Sequence, residues 1–184
     1  MSSFGGFVAR AFYYPSILLN VVATKATGGS WYNRVNDHVF LGAIPLPHMT
    51  KQLTQDNVKG VISLNEDYEL KYIYNTEQAW TKAGIKTLRL ATQDLFATPT
   101  ICNINKAIDF IKEIKNDNGT VLVHCKAGKT RSTTVVVCYL IHSEGMNPDE
   151  AYRFVKAKRP QAWLRKAQLD CVNEFYQQEL QASK

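Results

Sequence analysis

Cysteine is scarce in this 184-residue chain, and its four copies, Cys102, Cys125, Cys138 and Cys171, stand far apart without a C-x-x-C pair. That spacing indicates neither a zinc cluster nor a disulfide framework and fits a reducing compartment. It leaves open whether Cys102 or Cys138 could act as an oxidation partner of Cys125. No apolar run makes a clean membrane span, because the most hydrophobic stretch, Phe7 to Ala23, is broken by Arg10, Pro15 and Asn20. Internal repeats, low-complexity tracts and basic helices with interleaved aromatics are missing. The net charge of +6 therefore points to phosphorylated or membrane-surface partners rather than nucleic acid. Acidic residues are absent from Met1 to Asn36, which carries Arg10, Lys25 and Arg34. This composition predicts a targeting or membrane-associated segment over 1–30, followed by one domain over 31–184. The sequence carries no sign of oligomeric state.

From Asn36 onward, strand-like and helix-like runs alternate, the pattern of an α/β domain with a central, mostly parallel sheet flanked by helices. Strands are predicted at His38 to Ile44, Val58 to Leu64, Ile85 to Ala91 and Thr120 to His124. Helices are predicted at Met49 to Gln55, Thr76 to Ala83, Pro99 to Lys115, Ser132 to His142, Ala151 to Lys158 and Ala167 to Glu179. Ile101, Ile104, Ile108 and Ile111 recur at helical spacing and mark a core-facing stripe. Asn147-Pro148-Asp149-Glu150 reads as a helix start, with Asn as cap and Pro in the first turn.

Chemistry concentrates in Val121-Leu122-Val123-His124-Cys125-Lys126-Ala127-Gly128-Lys129-Thr130-Arg131-Ser132. An apolar strand delivers a cysteine into a five-residue loop that ends on arginine and opens a helix. Such a loop lets successive backbone N–H groups converge on one anion, with the positive end of the helix behind them. The same field favours a thiolate at Cys125 and so makes it a nucleophile at neutral pH.

The His-Cys-x5-Arg-Ser pattern resembles the signature of the cysteine-dependent protein tyrosine phosphatase superfamily. The resemblance implies a protein-tyrosine-phosphatase-like fold of the dual-specificity type and a reaction needing no metal or other cofactor. By it, Cys125 attacks phosphorus and Arg131 clamps two equatorial oxygens. The loop of Lys126, Ala127, Gly128, Lys129 and Thr130 holds the others. Arginine suits that geometry because its planar fork matches phosphate bidentately. Ser132 matches the position whose hydroxyl helps the thiolate leave, and His124 matches a residue that orients the loop.

Loss of an alkoxide needs a proton, so a carboxylic acid should face the cleft. Asp94 is the best candidate, in the loop Thr92-Gln93-Asp94-Leu95-Phe96-Ala97-Thr98-Pro99 after a predicted strand. Its separation from the cysteine is similar to that of the superfamily's general acid. Glu66, Asp67 and Glu69 in Asn65-Glu66-Asp67-Tyr68-Glu69 compete for the role.

The stretches Leu41 to Leu46, Val58 to Glu69, Trp80 and Leu88 to Asp94 look like the mitochondrial dual-specificity-type phosphatases that act on phosphatidylglycerophosphate, on the path to cardiolipin. The likeness runs from Trp31 to about Leu180. It implies an anionic phospholipid substrate, association with a membrane surface and a place at the matrix face of the mitochondrial inner membrane. It also implies that Glu66, Tyr68 and Glu69 shape the pocket and stabilise the phosphate loop. Alone, two glutamates around a tyrosine read as an exposed turn. Lys126 and Lys129 add charge to the loop, and the string His-Cys-Lys-Ala-Gly-Lys-x-Arg is also similar to that of the 3-phosphoinositide phosphatase tumour suppressor. One of the two lysines would reach a second anion of the headgroup, with no choice between them. Gln168 matches the glutamine of the family's Ile-Arg-Pro-x-Gln turn, but Lys166 stands where that turn carries proline, which relaxes the backbone there. The alternatives are a phosphoinositide phosphatase, a dual-specificity protein phosphatase and an inactive phosphate-binding module. Intact Cys125, Arg131 and Ser132 argue against the last.

Overall fold

The computed structural model describes residues 29–71, 74–94 and 97–182. The elements are β1 (Tyr32–Arg34), β2 (Val39–Ala43), α1 (Thr50–Gln55, entered through a 3-10 turn at Pro47–Met49), β3 (Val58–Ser63), α2 (Asp67–Leu70) and α3 (Glu77–Lys82). They continue with β4 (Lys86–Arg89), α4 (Ile101–Asn116), β5 (Thr120–Cys125), α5 (Arg131–Glu144), α6 (Pro148–Lys158) and α7 (Lys166–Ala182). The strands form one sheet in the order β1-β2-β5-β3-β4, parallel except for the β1/β2 pair. This is the α/β architecture expected from the alternation of apolar runs.

β2 and β5 are buried along their whole length, as strands covered by helices on both faces must be. On one face, α4 buries Ile104, Ile108, Ile111 and Ile114, and α5 buries every residue from Arg131 through Ile141. Ile101 of the expected stripe packs only at the edge of this core. On the other face a smaller cluster gathers Phe40, Leu53, Val61 and Leu122 around Trp80, which is 1% exposed. The punctuation is local. Thr100 caps α4 by accepting from the Asn103 N–H at 3.2 Å, and Asn147 with Glu150 forms a reciprocal capping box on α6. Asn118 at φ 52° turns the chain into β5, and Gly145 at φ 66° ends α5.

Two elements escaped the sequence reading. β1 has three residues, too short for a period, and forms because it pairs antiparallel with β2. α2 occupies the segment whose composition alone suggested an exposed turn. The expected targeting segment, 1–30, lies outside the described residues except for its last two. Among the described residues, no helix is long and apolar enough to cross a membrane.

Candidate active site

Because β5 lies between two parallel neighbours, the loop after it opens at the carboxyl edge of the sheet, where this architecture places ligands. The loop leans on β2. Gly128 adopts φ 64°, and a Cβ there would sit 2.3 Å from the carbonyl carbon of Gly42. Gly42 is bare for a similar reason, since its own Cβ would meet the Tyr32 Cβ at 2.6 Å. On the outer side, each loop carbonyl has a donor. Ile44 N–H reaches Lys126 O at 3.4 Å, Arg159 Nη2 reaches Ala127 O at 3.3 Å, Arg159 Nε reaches Gly128 O at 2.8 Å and Trp163 N–H reaches Lys129 O at 2.8 Å. In a trans peptide the following N–H points opposite to the carbonyl. Outward carbonyls at residues 126–129 therefore turn the amides of Ala127, Gly128, Lys129 and Thr130 inward, which makes the anion cradle.

Cys125 sits in that cradle, 3% exposed, with the Ser132 hydroxyl donating to its sulfur at 3.2 Å. Burial by itself raises the thiol. The Arg131 charge, the Ser132 hydroxyl and the N–H groups of Ser132 and Lys129 outweigh it, and the net shift is downward. His124 is fully buried and its ring lies 5.5 Å from that of Tyr74. Burial, reinforced by Arg131, lowers it to about 3, so it is a neutral spacer rather than a proton donor.

Arg131 is 3% exposed, and its orientation is dictated by Glu69, which is 0% exposed. Nη1 meets Glu69 Oε2 at 2.9 Å and Nη2 meets Oε1 at 3.1 Å, a bidentate fork. Nη1 also donates to the carbonyls of Thr92 at 2.8 Å and Leu64 at 3.1 Å. α2 exists to present this carboxylate: Glu69 also accepts from the Glu66 N–H at 2.7 Å, closing the start of the helix. The exposed turn suggested by local composition is thus a helix whose glutamate is buried, because an arginine 62 positions away supplies its partner. Tyr68 stands beside it. Its phenol is raised to about 12 by burial and by the carboxylates of Glu69, Glu66 and Asp94, against Arg131, so it stays protonated.

The candidate acids and lysines lie in different places. Asp94 bridges two cations, with Oδ1 2.9 Å from Arg131 Nη2 and Oδ2 2.7 Å from Lys126 Nζ. Glu69 is committed to Arg131, and Asp67, with its side chain 89% exposed, pairs with Arg89 outside the cleft. Lys126 is the lysine at the site, and Lys129 is exposed at its rim. Gln168 is buried, and its Oε1 accepts from the Arg165 N–H at 3.3 Å. Lys166 takes the first position of α7, the place that proline would favour. Cys102 is exposed on α4 and Cys138 is buried on α5, and all four cysteines are free thiols.

The residue missed from sequence is Arg159. It is 1% exposed and binds, besides the two loop carbonyls, Asn33 Oδ1 at 2.6 Å and Ser30 O at 3.3 Å. Burial lowers it to about 10, with Cys125 pulling the other way. Nothing local distinguishes it from Lys156 and Lys158, the cations at the end of the same helix.

The model of the dual specificity phosphatase catalytic domain matches residues 39–178. Phosphatidylglycerophosphatase and protein-tyrosine phosphatase 1 of Homo sapiens is 40% identical over 175 residues, covering 93% of this chain and 87% of the relative. Phosphatidylglycerophosphate phosphatase PTPMT1 of Arabidopsis thaliana is 39% identical over 93% of this chain and 50% of its own length. Among solved structures, that of PTPMT1 in complex with PI(5)P superimposes with a TM-score of 0.82 at 38% identity, covering 84% of this chain and all of the other. The match runs through β2, β3 and β5, the elements that build and flank the anion cradle, and the chain belongs to the dual-specificity phosphatase family of cysteine-dependent phosphatases.

Proposed function

We propose that this phosphatase removes the terminal phosphate of phosphatidylglycerophosphate, through a phosphocysteine at Cys125. The observation that carries this reading is the pair of cations at the mouth: Arg131 at the cradle and Lys126, 2.7 Å from the same carboxylate that meets Arg131. A headgroup with a terminal monoester and an internal phosphodiester offers one anion to each. Relatives named for this activity match nearly the whole chain.

The reaction follows from the side chains present. The Cys125 thiolate attacks phosphorus as the bond to the glycerol oxygen breaks, and the leaving oxygen takes a proton from Asp94. The incoming phosphate competes with Asp94 for Arg131 Nη2, so substrate binding releases the carboxyl group toward the leaving oxygen. Asp94 then takes a proton from the water that attacks the phosphocysteine. The sulfur–phosphorus bond breaks, inorganic phosphate departs, and the Ser132 hydroxyl at 3.2 Å stabilises the returning thiolate. Glu69 and the two backbone carbonyls keep the guanidinium plane fixed throughout, which is the preorganisation a developing charge needs.

The acid-free segment from Met1 to Asn36 supports a mitochondrial location, at the matrix face of the inner membrane, with the enzyme held against the lipid surface. A phosphoinositide is the second reading, favoured by the likeness to a structure described as PTPMT1 in complex with PI(5)P. The test is phosphate release from phosphatidylglycerophosphate, several phosphoinositides and a phosphotyrosine peptide, with Cys125→Ser as blank. Preference for phosphatidylglycerophosphate is expected. Preference for either other class would overturn the substrate while keeping the mechanism.

A further inference from the structure

Three large apolar side chains are notably exposed among the described residues: Trp163 at 52%, Leu169 at 37% and Leu180 at 42%. Trp163 belongs to the segment that braces the phosphate loop, and Leu169 follows in the first turn of α7. Trp163 is forced outward by its neighbours. Ala162 and Leu164 are buried at 0% and 4%, the Leu164 N–H donates to the Tyr152 hydroxyl at 3.2 Å, and Lys156 Nζ donates to the Ala162 carbonyl at 2.7 Å. Burial alternates along this segment, so the indole between two buried neighbours faces away from the core. The Trp163 backbone N–H is bonded to the Lys129 carbonyl at 2.8 Å, two positions before Arg131, which ties the residue that carries the exposed ring to the cradle.

One cation lies over the ring, and two more are exposed on the adjoining segments. The Arg165 guanidinium lies 4.9 Å from the centre of the Trp163 ring, the Lys166 side chain is 90% exposed, and Lys129 is exposed on the loop itself. The nearby acid on α7 is Asp170, 3.2 Å from Lys166. An indole with cations beside it fits the boundary between acyl chains and phosphate headgroups, where an aromatic ring inserts and cations meet lipid phosphates.

We propose that Trp163, Leu169, Arg165 and Lys166 form a docking rim that seats the mouth of the phosphate loop on an anionic bilayer. This deepens the lipid-substrate reading and rests on it. A lipid phosphate held in a bilayer can enter a deep cradle only if the cradle's edge lies at the headgroup plane, and the bonded Trp163–Lys129 backbone sets that distance.

The test uses the full chain and vesicles of phosphatidylcholine doped with phosphatidylglycerol, with and without phosphatidylglycerophosphate. Trp163→Ala should lower vesicle co-sedimentation and vesicle hydrolysis by about tenfold, the scale of burying roughly half an indole. Hydrolysis of a small water-soluble aryl phosphate should stay within about twofold, because the backbone bond to Lys129 survives the substitution. The double variant Arg165→Gln with Lys166→Gln should lose about tenfold on vesicles at low salt and little at high salt. Equal losses on vesicles and the aryl phosphate, or on vesicles and a phosphopeptide, would overturn docking on lipid. So would unchanged co-sedimentation, which would assign attachment to another part of the chain. If wild-type protein releases phosphate from no lipid, the substrate reading fails, and co-sedimentation of wild type against Trp163→Ala still decides the rim.

Discussion

Glu69→Ala removes a carboxylate that is fully buried behind Arg131, and it should damage both the fold and the reaction. The pair it breaks is fully enclosed: Glu69 is 0% and Arg131 3% exposed, joined by bonds of 2.9 and 3.1 Å. Removing one member of such a pair takes the bidentate counterion from a buried charge, leaves Arg131 with Asp94 as its remaining carboxylate, and costs about 3–5 kcal/mol. For a chain of this size each kcal/mol moves Tm by roughly 2–4 °C, so a fall of about 6–20 °C is expected. The Glu66 N–H also loses its 2.7 Å acceptor, which loosens α2. Arg131 keeps its bonds to the Leu64 and Thr92 carbonyls and to Asp94, but no longer has a bidentate fork setting its plane. A misplacement of about 1 Å in a clamp of this kind costs on the order of a hundredfold in kcat/KM. Glu69→Gln, with the same shape and one remaining acceptor, should fall between wild type and Glu69→Ala. Differential scanning calorimetry and steady-state phosphate release read the two effects separately. A Tm within about 2 °C of wild type, together with unchanged kcat/KM, would show that the backbone carbonyls and Asp94 alone hold Arg131, and would refute the role given to α2.

Asp94→Asn should lower kcat by about a hundredfold or more on alkyl phosphates and less on aryl phosphates with good leaving groups; Asp67→Asn, altering a solvent-facing ion pair, should not, and the reverse pattern would reassign the acid. Gly128→Ala should cost on the order of a hundredfold in kcat/KM, since its Cβ would sit 2.3 Å from the Gly42 carbonyl carbon and the cradle must shift; near-normal activity would show that β2 does not brace the loop. The Cys125 thiol should titrate below a free cysteine, so alkylation by iodoacetamide should already be fast at neutral pH and level off once the pH exceeds the lowered value. Ser132→Ala and Arg159→Met should each move that profile to higher pH, because one removes a bond to the thiolate and the other a cation behind the loop; an unmoved profile in Arg159→Met would confine Arg159 to a purely structural role.

The cradle was legible because its parts are contiguous. Cys125, the inward amides and Arg131 lie within seven consecutive residues, between a strand and a helix whose own patterns are plain. The parallel sheet was legible for a related reason, since buried strands separated by amphipathic helices leave few topologies open. β1 was not, because three residues carry no period, and neither was α2, whose Glu69 looks like surface charge until Arg131 is placed against it.

By itself, the sequence determined the strand–loop–helix that concentrates backbone dipoles on one cysteine, and with it the class of chemistry. Tertiary structure alone decided which acid faces the cleft, which loop lysine shares it, and which buried groups hold the loop rigid. Asp94 rather than Asp67, Lys126 rather than Lys129, Glu69 under Arg131 and Arg159 behind Gly128 are outcomes of contacts between segments 31 to 62 positions apart in the case of the two arginines. Their physical reason is common to all. A charge far along the chain is solvated or buried according to whether folding brings it a partner, and no local pattern records that partner.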